Sequence, residues 1–433
     1  MTKKAVELSM PLKDFPTVLQ IKDPIHGYVS LTELEKEIID LRLSQRLRYI
    51  QGPAGVSLVY PGAAISLMGR TFGFMHMTEV FLEYLGGSVD EVLKGRLASL
   101  LLMLTNGPWA NVSEEYLSVR GINRPKIAKI IVEQSEVGDL VKKHGFSVNE
   151  VTDLIEKGIP IKGLYLDLIH CPINPELIDD LERDSYFAGV EYAQLEFRRL
   201  FSSTRIAKNK IAVERGSLFT LESYLSAAAN MFEAVYFHKT VRAAELMLLR
   251  VLDEAGSQIL SMPTYDPESF LKCDDFSLIY RLLHINPNDN DELRNANRIY
   301  NDFSRRNLIK LTSSRAISDP VFLEKLSTPD GHYAVEKEIA DDAGIDPGNV
   351  YIDYPDRVSV TFYPGRFGFE DLVLFERGSS GYEFWHATDL SPMARSFSRI
   401  LKPIRVYTSR GYRSKLKKYA DQVLESIDTP GSQ

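Results

Sequence analysis

Apolar residues recur at three- and four-residue intervals through most of the first 255 positions. That spacing lays a hydrophobic stripe along a helix and predicts a mainly α fold. The first helix is expected over residues 31–43, with Ser30 as its N-cap and Glu33 as the partner in a capping box. Further helices are expected over 78–85, 93–104, 137–144, 148–157, around 175–183, and over 218–251. The last reads as one long helix, with Ala227-Ala228-Ala229 offering a place for close packing or a kink. Residues 56–60 fit either a short strand or an extended lead-in to a turn.

The pattern changes beyond residues 261–269, a polar connector carrying Pro263 and Pro267. Residues 269–308 read as helical, with Leu282, Leu283 and Ile285 on one face. After that, residues 351–354, 358–362, 371–375 and 401–407 are rich in β-branched and aromatic side chains and predict strands. A final helix is expected over 411–427. The division predicted is a helical domain over 1–255 and a smaller helical and α+β region over 256–433.

Composition narrows the class. A chain of 433 residues can bury a large core and suits two domains. Its 44% hydrophobic and 25% charged content is that of an ordinary globular protein. A net charge of −8 argues against nucleic-acid binding over the whole surface. The longest apolar run, near 97–104, is too short to span a bilayer, and residues 1–7 show no signal-peptide core. No membrane association is expected. Cys171 and Cys273 have no metal-ligand spacing and suit a reducing cytoplasm as small buried hydrophobes.

Five short segments carry a family resemblance. Asp23-Pro24-Ile25-His26-Gly27 is followed by Gln45-Arg46-Leu47-Arg48-Tyr49-Ile50; Pro61-Gly62-Ala63 and Gly107-Pro108 come next; Arg183-Asp184-Ser185 closes the set. With Tyr236-Phe237-His238-Lys239, these resemble the HD-domain phosphohydrolases, in the deoxynucleoside triphosphate triphosphohydrolase branch. The resemblance covers roughly the first 255 residues and implies an HD-domain helical bundle. It also implies four metal-ligand positions, and most are substituted. Arg70 stands where a His is expected after Pro61-Gly62-Ala63, Leu102 and Met103 stand for the His-Asp pair, and Glu176 alone keeps an oxygen ligand. Asn106 and Asn111 stand for two histidines that would approach the phosphates. One carboxylate beside Leu, Met and Arg cannot assemble a catalytic dication site, so no metal cofactor is expected.

The resemblance implies two candidate regions. One is a degenerate pocket of Arg70, Asn106, Asn111, Glu176, Asp184, Tyr236, His238 and Lys239. Arg70, His238 and Lys239 could hold a phosphate without metal; alternatively, Arg70 is neutralised by Glu176 or Asp184 in a collapsed pocket. The other is a guanine-nucleotide activator site between subunits, matched by Asp40, Gln45 and Arg48; the competing reading is a fold signature that packs and caps. His76 is expected at the edge of the core.

A third candidate owes nothing to resemblance. Arg395, Arg399, Lys402, Arg405, Arg410, Arg413, Lys415, Lys417 and Lys418, interleaved with Tyr407, Tyr412 and Tyr419, make residues 395–419 strongly basic. They could bind phosphates or a nucleic-acid strand, or form a solvated face. The expected function is that of a catalytically degenerate HD-domain protein with a nucleotide-binding or assembly role and a homo-oligomeric state. A (deoxy)nucleoside triphosphate phosphohydrolase with a rebuilt site and a nucleic-acid-binding protein are the alternatives, and the expected small-molecule partner is a guanine nucleotide or a dNTP.

Overall fold

The computed structural model describes residues 15–264, 266–286, 288–317, 319–354, 372–378, 381–397 and 403–428. The molecule is mainly α, as the periodicity predicts. A hairpin of β1 (Leu19–Asp23) and β2 (Gly27–Leu31) opens the described chain. Helix α1 (Glu33–Asp40) follows. Its N-cap is Thr32, not Ser30: Thr32 Oγ1 accepts from Glu35 N at 3.3 Å, and Glu35 Oε2 accepts from Thr32 N at 2.9 Å. Ser30 and Thr32 both have a Glu three residues on, and pairing of Ser30 with Gln20 in the hairpin decides between them.

The centre of the core is α2 (Leu67–Tyr84) against α3 (Val89–Leu104), with α6 (Pro175–Ala188) packed on α2. Helix α2 begins eleven residues before the sequence pattern suggests, because Gly69 and Gly73 weaken helix propensity there. Gly73 is there for closeness: a Cβ would run into Asp179 and the Arg183 guanidinium of α6. Between α3 and α6 lie α4 (Asn111–Ser118) and α5 (Arg124–Gln134). Residues 56–58 form a 3-10 turn, not a strand, since Gly55 at φ +80° reverses the chain and accepts from Leu58 N.

The expected long helix over 218–251 is two helices. Helix α7 (Leu218–Met231) widens into a π turn over Phe232–Tyr236, and α8 (Lys239–Ile259) restarts with His238 as N-cap. The break lies at Phe237-His238, not at Ala227–Ala229, because His238 Nδ1 accepts from Thr240 N and ends the first helix.

The region beyond 260 adds α9 (Asp275–Leu283), α10 (Asp291–Ser304), α11 (Pro329–Ala343) and α12 (Arg413–Asp428). The hairpin of β3 (Thr204–Ala207) and β4 (Lys210–Glu214) and the strand β5 (Lys310–Ala316) carried no clear sequence signal. Strands β6 (Val350–Asp353), β7 (Val373–Gly378) and β9 (Pro403–Thr408) answer three of the expected strands; β8 (Gly381–His386) pairs with β7. The strand expected over 358–362 lies outside the described residues. Sheet order is β5-β9-β6 in one sheet and β8-β7-β4-β3 in the other. The second sheet joins β4 to β7 in parallel, so it pairs segments from both sides of residue 255. A separate small core of Phe322, Leu326, Val335, Ile339, Val406, Leu416 and Leu424 holds α11 and α12 to β6 and β9. No helix among the described residues is long and apolar enough to cross a membrane.

Candidate functional site

Helix α6 is the back wall of a cleft. Asn174 caps it, accepting from Leu177 N at 3.0 Å, and Pro175 presets its first turn. Glu176, Asp180 and Asp184 then fall at i, i+4 and i+8, so one helix face presents three carboxylates. Opposite stand Gly52 and Pro53, Arg70 of α2, Met103 and Asn106 at the end of α3, and the start of α4. The cavity between them is about 60 Å³. That holds a few waters and falls far below the roughly 300 Å³ at which ligand pockets begin.

Arg70 organises the cleft. Its guanidinium pairs with both Asp180 and Asp184 and donates to Gly52 O from Nη2 at 2.7 Å and Nε at 3.2 Å. Asp184 also accepts from the Tyr236 hydroxyl at 2.8 Å. Burial pushes the Asp180 and Asp184 carboxyls up, and the Arg70 charge opposes it. A second arginine, Arg124 of α5, pairs with Glu176 at 2.8 Å, and its Nη2 lies 4.0 Å from Met103 Sδ. Two arginines thus face four carboxylates, with Glu114 at the rim.

Six of the eight sequence-predicted pocket residues line this cleft: Arg70, Asn106, Asn111, Glu176, Asp184 and Tyr236. Of the two partners expected for Arg70, it takes Asp184, while Glu176 goes to Arg124. Asn111 is tied into the scaffold, accepting from Ala54 N and donating to Glu245, both at 2.8 Å. Asn106 Nδ2 donates to Met103 O at 3.0 Å. His238 and Lys239 are not brought into the cleft: His238 is spent as a helix cap and Lys239 is exposed. Leu102 and Met103 are buried, and only Met103 lines the cleft. Asp180 and Arg124 escaped the sequence reading. The i, i+4, i+8 carboxylate spacing could have pointed to Asp180; nothing local points to Arg124.

The Asp40, Gln45 and Arg48 set is divided. Arg48 Nε donates to Gln45 Oε1 at 2.7 Å, and Gln45 Nε2 donates to Ile39 O at 2.8 Å. Asp40 is exposed and faces Lys36 of its own helix at 3.7 Å. His76 is partly buried, its ring centred 5.1 Å from that of His26 and tilted 37° to it; burial, His26 and nearby arginines lower its pKa to about 3. Cys171 and Cys273 are buried free thiols.

The basic stretch is not one surface. Tyr407 is buried, and Arg405 turns inward to donate to Phe237 O at 2.6 Å. Lys415 caps Gly344 O and Lys417 pairs with Asp421. Arg399 and Lys402 lie outside the described residues. Arg410 and Arg413 instead gather with Arg306 and Lys310 from another part of the chain; burial and these three arginines depress the Lys310 pKa.

Residues 195–433 match the family model described as the HD associated region. This chain belongs to that family. It is a member of the HD-domain phosphohydrolase branch. It is 29% identical over 251 residues to the uncharacterized protein YwfO of Bacillus subtilis, covering 54% of this chain and 55% of that protein. Similarity extends to the deoxynucleoside triphosphate triphosphohydrolase SAMHD1 homolog of Dictyostelium discoideum, 22% identical over 69% of this chain and 60% of that one. With human SAMHD1 it is 26% identical over 53% of this chain and 37% of the relative. The chain spans about half the length of the curated relatives it matches first. A hypothetical protein from Aquifex aeolicus has the same fold, with a TM-score of 0.68 at 23% identity over 93% of this chain and 99% of that one.

Proposed function

We propose that this HD-domain protein is catalytically silent and binds a nucleotide through its basic cluster. The observation that carries the first half is the bonding of Arg70. A guanidinium bound to Asp180 and Asp184 supplies, from the chain itself, positive charge among the pocket's carboxylates. The donor set does not fit a catalytic dication: Leu102 offers no donor, Met103 only a thioether, and Glu176 is already engaged by Arg124. A cavity of about 60 Å³ also leaves no room for a nucleoside triphosphate.

The second half rests on Arg306, Lys310, Arg410 and Arg413, four cations whose repulsion a polyphosphate would relieve. Gln45 and Arg48, paired on the surface, are candidates for the base and a phosphate of the same ligand, from this chain or a second copy. The test is a thermal-shift titration with GTP and dGTP beside a hydrolysis assay with added Mn²⁺. A rise in melting temperature with no turnover is expected. Turnover abolished by Glu176→Ala would establish a rebuilt active site instead.

A further inference from the structure

A second, larger cleft opens between the helical body and the C-terminal layer. Leu246, Leu249 and Glu254 of α8, Glu292 at the start of α10, Tyr333 of α11 and Tyr351 of β6 are among its walls. Its volume is about 320 Å³, inside the range of small-molecule sites, and such sites favour seams between packed units. Its walls divide between aliphatic or aromatic side chains and charged ones, with acids outnumbering arginines.

The cations of this cleft are already committed. Arg250 Nη2 donates to Glu336 at 2.6 Å and to Val350 O at 3.2 Å, and its guanidinium lies 4.5 Å over the Tyr351 ring. Arg120 pairs with Asp253 at 3.3 Å. Glu254 and Glu292 line the same space; among the described residues neither makes a close salt bridge, and Glu254 acts on Arg250 only at longer range, behind Glu336 and Asp253. Glu292 Oε2 is oriented by Gln258 Nε2 at 3.0 Å. Tyr333 is 54% exposed at the mouth, a ring face available to a cation. Two carboxylates beside leucine side chains and an exposed aromatic ring form a lining that suits an organic cation.

We infer that this cleft binds a small aliphatic diamine or polyamine. One ammonium sits at Glu254 and Glu292, the methylene chain runs along Leu246 and Leu249, and Tyr333 covers it. Each ammonium–carboxylate contact is charge-assisted, and Leu246 and Leu249 give the methylene chain an apolar surface to lie on. This site is separate from the Arg70 cleft and does not depend on the nucleotide reading.

Calorimetric titration of spermidine and of putrescine into the intact, nucleotide-free chain at physiological salt tests it. Saturable one-to-one binding is expected. The double variant Glu254→Gln/Glu292→Gln should weaken it by about tenfold or more, and Tyr333→Ala should weaken it too. Glu383→Gln, an exposed acid on β8, should leave it unchanged. Circular dichroism and melting curves confirm that each variant folds. Equal binding by wild type and the double variant, or heats reproduced by Mg²⁺ at matched ionic strength, would overturn the proposal.

Discussion

Single side chains set what the Arg70 cleft can do. Removing Arg70 leaves Asp180 and Asp184 facing one another in a buried space. Arg70→Ala should cost about 3 kcal/mol in urea denaturation, as breaking a buried ion pair does. A loss under roughly 0.5 kcal/mol, the scale of an exposed pair, would show that these charges are well solvated. Glu182, on the same helix, offers a pH test. Burial and the nearby Asp179 push its carboxyl up to about 8, against an unfolded value near 4.3. A raised folded pKa means the folded state holds the proton more tightly. The stabilising contribution is therefore complete below about pH 4.3 and is lost as pH rises through about 8. Glu182→Gln should raise the melting temperature at pH 8 and leave it nearly unchanged at pH 4. Parallel melting-temperature curves for the two proteins between those pH values would refute the assignment.

Helix α2 meets α6 through a gap only glycine allows. Gly73→Ala drives a methyl group into Asp179 and Arg183, whose own bonds to His26 and Asp23 are buried. The expected cost is about 1–3 kcal/mol, as for overpacked cores, measured by denaturant unfolding. Because Asp184 rides on the same helix, the variant should also disturb the Arg70 pairing, visible as a non-additive double mutant with Arg70→Ala. Additive losses would mean that α6 absorbs the methyl group locally. A buried chain of bonds runs from Asn111 through Glu245 and Arg242 to Asp353, tying α4 and α8 to β6. The two halves of the chain are joined by polar contacts as well as by the shared sheet.

For the whole molecule, the nucleotide reading makes a comparative prediction. GTP should raise the melting temperature of the wild type, and Lys310→Ala and Arg410→Ala should each remove most of that shift. Arg70→Ala should preserve it, because Arg70 belongs to the other cleft. The binding should weaken steeply with salt, since four cations neutralise the phosphates. A shift lost only in Arg70→Ala would place the nucleotide in the old pocket. Salt-dependent binding of single-stranded DNA equal to that of GTP would favour a nucleic-acid role for residues 395–419.

Local chemistry in the sequence determined the helical class and three of the late strands, while the ring of pocket residues from Arg70 to Tyr236 was legible only through the family resemblance. Periodicity and short anchors such as Gly107-Pro108 are encoded within a few neighbouring positions. Tertiary structure decided which of two capping boxes forms, because Ser30 was claimed by a strand partner at Gln20. It decided that His238 would end a helix and leave the pocket, and that Arg124, 52 residues before Glu176, would take that carboxylate. It drew Arg306 and Lys310 to Arg410 and Arg413 across about a hundred residues. Burial and the pairing of charges depend on distances in space, and a one-dimensional pattern holds those distances only where contacts are local.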